Sequence, residues 1–405
     1  MSSLLPKKIL VLDTGKEWGG GTNSLIELLK RTDRSRYSFE ALFYHNYPKG
    51  DSSDIRSELE RIGVGFICVQ QPEQALSLKI AKEFARATLF FNRTLRRRAV
   101  FAIECRTSTI RKARQIASIL TKGGFDLLYM NNQPSTNLEG IMAGTMTGVP
   151  VLQHSRIETR LNPVEVRLVN EQLCKMICVS AGVRDTFVEH GVHPDKCTVV
   201  HNGIDSGFKP AGAPGEVRSR YGIADDEILV VSAGSLVRRK RFEDLIEAVS
   251  ELSQQGRRCR CLILGQGPER ERLERMAQES GLGESLIFTG FQSNPASFIN
   301  AADIFVLPSE QEGLPRVILE AMLFGRPVVA ADVTGPSELV VDGVTGFLVP
   351  PRDPERLAVA LAALFDNRGV REDMGSRGRE RVLEHFSISR YVNGVQEVFN
   401  EVLAA

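Results

Sequence analysis

Short apolar runs alternate along the chain with longer stretches in which apolar residues return at helical spacing. The first half carries such runs at KKILVLD (7–13), FEALFYH (39–45), VGFICV (64–69), DLLYM (126–130) and VPVLQ (149–153). KMICVS (175–180) and CTVVHN (197–202) complete that series. After the first run comes a glycine-rich turn, Trp18 to Thr22, then an amphipathic helix at NSLIELLK. Strands that are apolar throughout and separated by helices predict parallel βαβ units. Residues 206–226 break the pattern with prolines, glycines and no strong apolar period, and read as a linker. A second series follows: EILVVSAG, RCLILG, LIFTG, DIFVLP, RPVVAA and GFLVP, with helices between them at 242–252, 269–280, 316–324 and 354–365. The fold class is therefore α/β. Two doubly wound units, 1–206 and 207–386, face a cleft, and a last helix, 387–405, can pack on either, including back on the first.

One stretch leaves this rhythm. Residues 79–122 hold twelve lysines and arginines against two acids, Glu83 and Glu104. Ile80, Phe84, Ala87, Phe91 and Leu95 fall at helical spacing between them. The pattern predicts a basic amphipathic helix, suited to an anionic membrane surface or to a core with a solvated basic face.

Composition narrows the classes. The 405 residues are 42% apolar and 25% charged, which suits a soluble globular protein, and the net charge of +1 argues against nucleic acid as a partner. No apolar run approaches the length that spans a bilayer. The first residues, MSSLLPKKILVLD, lack a signal-peptide core. Seven scattered cysteines show no zinc spacing, so the expectation is a cytoplasmic protein with reduced thiols and no metal.

In open α/β sheets, ligands bind beyond the carboxyl ends of the strands. DIFVLP ends at Pro308, and Glu312, Gly313, Leu314 and Pro315 lie just past it. Pro315 suits the first position of a helix. The amides around it would then offer a phosphate site at the helix N-terminus. A carboxylate there repels phosphate, so Glu312 is better aimed at sugar hydroxyls. Glu320, eight positions and about two helical turns on, suits the hydroxyls of a ribose at the other end of a nucleotide diphosphate. Lys240, with Arg238, Arg239 and Arg241 around it, can neutralise the diphosphate. LGQGP is a Gly-x-Gly without the third glycine of a dinucleotide fingerprint, and the first strand-turn unit fails that pattern too.

These blocks together carry a resemblance. LGQGP, IFTGF, ADIFVLPSEQEGLPRVILEAMLFGRPVVA, GPSEL and DGVTGFLVP, in that order, resemble the nucleotide-sugar domain of retaining family 4 glycosyltransferases of the GT-B fold. WGGGTNSL, DLLYMNN, VLQHSR, ICVSAGVRDTF and VVHNGID extend the likeness more loosely to the first half. The resemblance implies Glu312 at the donor sugar, Gly313 to Pro315 facing sugar and diphosphate, Glu320 on ribose and Lys240 on diphosphate. The family's second cation falls on Ser235, and its glycine after the lysine falls on Arg241. Arg238 or Arg239 would then supply the missing charge. Gly20 and Gly21 would let backbone approach the ligand. His154 would lie near the reacting sugar, Phe291 near the base, and Asn131, Asn132 and Arg156 on the acceptor side. The implied activity is transfer of a hexosyl unit from a nucleotide sugar to a glycan or lipid-linked acceptor, with retention and without a metal or other cofactor, in bacterial polysaccharide or lipopolysaccharide synthesis. It would take place in the cytoplasm or on the inner face of the membrane. A sugar-nucleotide epimerase, a phosphorylase and a non-catalytic membrane-docking adaptor are the alternatives.

Overall fold

The computed structural model describes residues 5–15, 17–50, 53–69, 76–210 and 212–404; the side chains of 76–79, 93, 94, 97 and 98, Lys79 of the basic stretch among them, lie outside the description. Its strands are β1 (Lys7–Asp13), β2 (Tyr37–Phe43), β3 (Pro48–Lys49), β4 (Ser53–Asp54), β5 (Gly65–Cys68), β6 (Leu127–Asn132), β7 (Val151–Ser155), β8 (Lys175–Cys178) and β9 (Cys197–Val199). The second half adds β10 (Ile228–Ala233), β11 (Cys259–Leu264), β12 (Leu286–Gly290), β13 (Ile304–Leu307), β14 (Val328–Ala331) and β15 (Gly346–Val349). Among the described residues they form a seven-stranded sheet in the order β5-β2-β1-β6-β7-β8-β9, a six-stranded sheet in the order β12-β11-β10-β13-β14-β15, and the β3-β4 hairpin. The neighbours in both larger sheets run parallel.

The two-residue period of a strand sorts each apolar run between two cores. In β1, Ile9 and Val11 enter one buried cluster and Leu10 and Leu12 another. Both faces are covered, which is why these runs read as continuous apolar segments rather than alternating ones. The last helix, Ile388–Ala404, covers the first sheet: Tyr391, Val395 and Phe399 join Ile9, Tyr129 and Leu152 in one cluster. Phe399 is fully buried against the rings of Tyr37 and Tyr129. Truncating a phenylalanine so placed typically costs about 3–5 kcal/mol.

Three expectations change. The linker contains a helix, Pro214–Arg220, held down by buried Val217. Proline at its first position and one turn's worth of apolar contact leave too little period to read. The single basic helix over 80–95 is broken: helices Leu76–Thr88 and Arg93–Glu104 flank a turn, because Asn92 receives the amide of Leu95 and starts the second helix. Helix Arg368–His385 is absent from the sequence reading, since it packs through glycine: a Cβ on Gly375 would fall 2.0 Å from the Gly325 carbonyl oxygen.

Candidate active site

The carboxyl ends of β10, β11 and β13 bring three loops together. Gly265 has φ +142°, and a Cβ there would fall 2.0 Å from the Gly234 carbonyl oxygen. A Cβ on Gly267 would fall 2.3 Å from that of Leu236. The Gly-x-Gly after β11 therefore exists to let two loops touch, not to cradle a dinucleotide. The 234–240 loop so supported folds Lys240 over Gly234, whose Cβ position lies 3.2 Å from Lys240 Cε. Lys240 ends in an ion pair with Glu312 Oε1; both residues are buried. The cation and the acid, assigned by sequence to diphosphate and sugar, hold each other here.

Arg239 is committed to shaping this corner. Its guanidinium donates to the Gln311 carbonyl (3.0 Å) while its own carbonyl accepts from the Glu310 amide (2.9 Å). Arg238 points to solvent, with Nε 3.5 Å from Glu269. Ser235, half-buried, lies in the same loop. Neither arginine is drawn to Glu312 in place of Lys240. Arg241 has φ +51° and ψ +40°, the left-handed region in which a non-glycine residue costs about 1–2 kcal/mol. The glycine that the resemblance implies there would avoid this cost. Ion pairs to Glu243 (2.8 Å) and Asp244 (2.6 Å) offset the strain.

The loop after β13 is clamped between the halves. A Cβ on Gly313 would fall 1.9 Å from the Arg156 carbonyl oxygen, and one on Gly335 (φ +88°) would fall 2.3 Å from that of Gly313. Only glycine permits this three-layer stack. Asn202 Nδ2 donates to the Leu314 carbonyl (3.0 Å). The Leu314 side chain joins the core, so what it can offer a ligand is backbone, not side chain. Pro315 caps the helix rather than opening it: the helix runs Arg316–Leu323 and has no side-chain cap. Its amide end is thus available to an anion. Glu312 precedes the helix, so the spacing of eight to Glu320 is not two helical turns. Glu320 is buried, with Oε1 3.1 Å from Arg316 Nε and Oε2 without a partner among the described residues. Burial raises its carboxyl above the ordinary value, against the pull of Arg316. A buried carboxylate oxygen left unpaired is costly unless a ligand completes it.

Across the gap, β1, β6 and β7 deliver a polar network that sequence reasoning saw only in part. Asp13, the last residue of β1, accepts from Asn131 and Asn132 at 2.7 Å each. Asn132 has φ +81°, strained for a non-glycine residue. Arg156 donates to Asn131 (2.7 Å), Asn202 (2.9 Å) and Tyr391 Oη (3.1 Å). Asp13 could have been found by its place at a strand's carboxyl end; Tyr391, arriving from the last helix, could not. Gly20 and Gly21 open helix Gly20–Arg31 beside this network: the Cβ position of Gly21 is 3.7 Å from Arg156 Cγ, and that of Gly20 meets nothing within 4 Å. Both glycines leave room for a ligand. Phe291, 37% exposed, follows β12 and reaches the first half at Gly50.

His154 is the assignment the structure does not bring to the cleft. It is fully buried in β7, its Nδ1 is 2.6 Å from Tyr129 Oη, and its Nε2 has no partner among the described residues. Burial, reinforced by the Arg156 charge, holds its pKa well below the ordinary histidine value. The alternation of β7 turns it towards Tyr391 under the last helix, away from the cleft.

Glu338 bridges the halves. It accepts from the amides of Ala181 (3.0 Å) and Gly182 (2.9 Å) and lies 2.8 Å from His201 Nε2. Burial works against the charged form, but the His201 contact and the two amides hold its pKa below the ordinary value of 4.5. A depressed carboxylate contributes stability above its unfolded pKa and loses it as pH falls through the folded one. Glu338→Gln should therefore cost about 2 kcal/mol near neutrality. The gap in Tm between wild type and variant should shrink below pH 4.5. A pH-independent gap in thermal denaturation would remove the charge from this junction.

Comparison with known proteins finds matches over both halves of the chain. A family model for glycosyltransferase family 4 matches residues 18–208, and one for glycosyl transferases group 1 matches residues 215–381. Alpha-D-kanosaminyltransferase of Streptomyces kanamyceticus is 37% identical over 46% of this chain and 49% of its own. The lipopolysaccharide core biosynthesis glycosyltransferase LpsD of Rhizobium meliloti is 33% identical over 47% of this chain and 55% of its own. The chain thus spans about half the length of these relatives. The crystal structure of Anabaena Alr3699/HepE with UDP and glucose superposes with a TM-score of 0.78 at 22% identity, covering 97% of this chain and 99% of that one.

Proposed function

The chain belongs to the family 4 glycosyltransferases, and on that premise we propose that it moves a hexosyl unit from a nucleotide-diphosphate sugar to a glycan or lipid-linked acceptor, with retention at the anomeric carbon. On this reading residues 1–206 hold the acceptor and residues 207–386 the donor. The observation that carries it is one arrangement. A buried Lys240–Glu312 pair sits beside the uncapped start of helix Arg316–Leu323, and Glu320 Oε2 waits unpartnered within that helix. These supply, in order, a cation for diphosphate, an acceptor for sugar hydroxyls and an acceptor for ribose.

Negative charge grows on the diphosphate as its bond to the anomeric carbon breaks. Lys240 turns from Glu312 to that charge, and the helix amides share it. Glu312, released, accepts from the sugar. The acceptor oxygen takes the vacated position on the same face. With His154 sealed beneath Tyr129, the departing diphosphate itself takes the acceptor's proton. No step calls for a metal. Relatives named for lipopolysaccharide core synthesis support an acceptor of that class, and seven free cysteines suit a reducing compartment such as the cytoplasm.

Thermal denaturation in EDTA with UDP-, GDP-, ADP- and TDP-sugars tests the reading. One nucleotide class should raise Tm, by about 2.7 kcal/mol of stabilisation when the ligand is at a hundred times its Kd. No shift with any of them would contradict a nucleotide-sugar site.

A further inference from the structure

The break in the basic stretch changes what that stretch can do. Helix Arg93–Glu104 passes through a π-helical turn, Cys105–Thr109, into helix Ile110–Gly123, with right-handed helical backbone at both junctions. The three form one rod with a π-bulge. The end of the rod is fixed, since Gly123 leads back to the start of β6. Its middle is fixed too: Lys112 lies 4.8 Å over the ring of Tyr44, just past the carboxyl end of β2, and 3.6 Å from Glu139. From Lys112 back to Arg93 the rod continues for roughly 25–30 Å at the helical rise from the carboxyl ends of the strands, with Phe101 on it still packed against the core. That is the side of the sheet on which the candidate site opens. Helix Leu76–Thr88 returns along the rod, tied to it by Lys82–Glu104 at 2.6 Å.

The exposed side of this hairpin is apolar. At its tip Phe90 is 75% exposed and Phe91 71%; back along helix Leu76–Thr88, Phe84 is 69% exposed and Ile80 61%. The turn that carries the two adjacent rings is itself hydrogen-bonded, Leu89 to Ala85 and Asn92 to Leu89. Four large apolar side chains on one projection are unlike the scattered exposed residues of an ordinary surface. The hairpin that carries them, residues 76–104, holds seven basic residues against two acids in its sequence, in a chain whose net charge is only +1. Apolar anchors on a hairpin of net positive charge complement an anionic bilayer: the rings enter the acyl boundary and the cations stay at the headgroups. No helix among the described residues is long and apolar enough to cross a membrane, so this contact would be peripheral.

We propose that the 76–104 hairpin docks on an anionic phospholipid surface tip first, through Phe84, Phe90 and Phe91, and that this turns the open end of the cleft towards the bilayer. The acceptor is then a molecule anchored in that bilayer. The last step rests on the transferase reading; the docking does not.

Sedimentation with vesicles tests docking without turnover. Wild-type protein should pellet with phosphatidylglycerol-containing vesicles at low salt, less at high salt, and not with pure phosphatidylcholine. The exposed triple variant Phe84→Ser/Phe90→Ser/Phe91→Ser should keep its Tm and lose vesicle affinity by about tenfold or more. Wild type left in the supernatant with anionic vesicles overturns the proposal. So does a triple variant that pellets like wild type. A wild-type dimer that the variant reduces to a monomer, with neither binding lipid, would assign the face to a second copy instead. Sugar transfer to a soluble acceptor by a protein that ignores vesicles would sink the docking and leave the transferase standing.

Discussion

Lys240→Ala should lower kcat by about 10²–10³-fold, the usual loss when one preorganised donor to a developing anion is removed. The structure adds a complication that becomes a control. Lys240 also neutralises Glu312, and the side chains are only 11% and 9% exposed. Removing one partner of a buried pair leaves the other charge uncompensated and costs about 3–5 kcal/mol. The single variant should therefore lose Tm as well as turnover. The double variant Lys240→Ala/Glu312→Gln removes the orphaned charge, so it should recover much of the Tm and none of the turnover. If stability and turnover recovered together, Lys240 would be a structural cation. If the single variant turned over normally, it would leave the mechanism altogether.

Glu320→Ala should act on binding instead. A carboxylate that accepts from both ribose hydroxyls makes charge-assisted hydrogen bonds at about 1.5–3 kcal/mol each, so the donor KM should rise about 10²-fold or more. At saturating donor, kcat should change little, since ribose is remote from the bond that breaks. Arg316 loses its acceptor in this variant, and some stability with it. A substrate comparison separates that effect from recognition. Wild type should discriminate strongly against a deoxyribose donor, and Glu320→Ala should treat ribo and deoxyribo donors alike. Equal discrimination by both proteins would return Glu320 to a purely structural role with Arg316.

Most of the strands could be read because parallel strands buried on both faces are short, apolar and bounded by turns. The donor-side residues could be read because the position rule and the motif order both pointed to the loop after β13. What escaped the sequence was set by contacts between distant segments. His154 sits in the expected block, yet nothing local says that β7 turns it under Tyr391, which arrives from the far end of the chain. The clamp of Arg156, Gly313 and Gly335 joins three loops whose glycines look like ordinary turn residues until their missing Cβ atoms are placed. Glu338 lies in the GPSEL block, where nothing local shows that it takes two amides and a histidine from the other half. Helix Arg368–His385 showed no apolar stripe because two of its four buried residues, Gly375 and Gly378, are glycines, and Gly375 meets Gly325. The even spacing of apolar residues from Ile80 to Leu95 hid a turn, since spacing alone does not register an asparagine that restarts a helix.

A crystal structure with the nucleotide sugar selected by thermal denaturation is the most direct test of the central claim. The diphosphate should lie against the start of helix Arg316–Leu323 with Lys240 drawn off Glu312 onto it, the sugar on Glu312, and the ribose hydroxyls on Glu320. A nucleotide bound away from the gap between the two sheets, with the Lys240–Glu312 pair still closed, would contradict it.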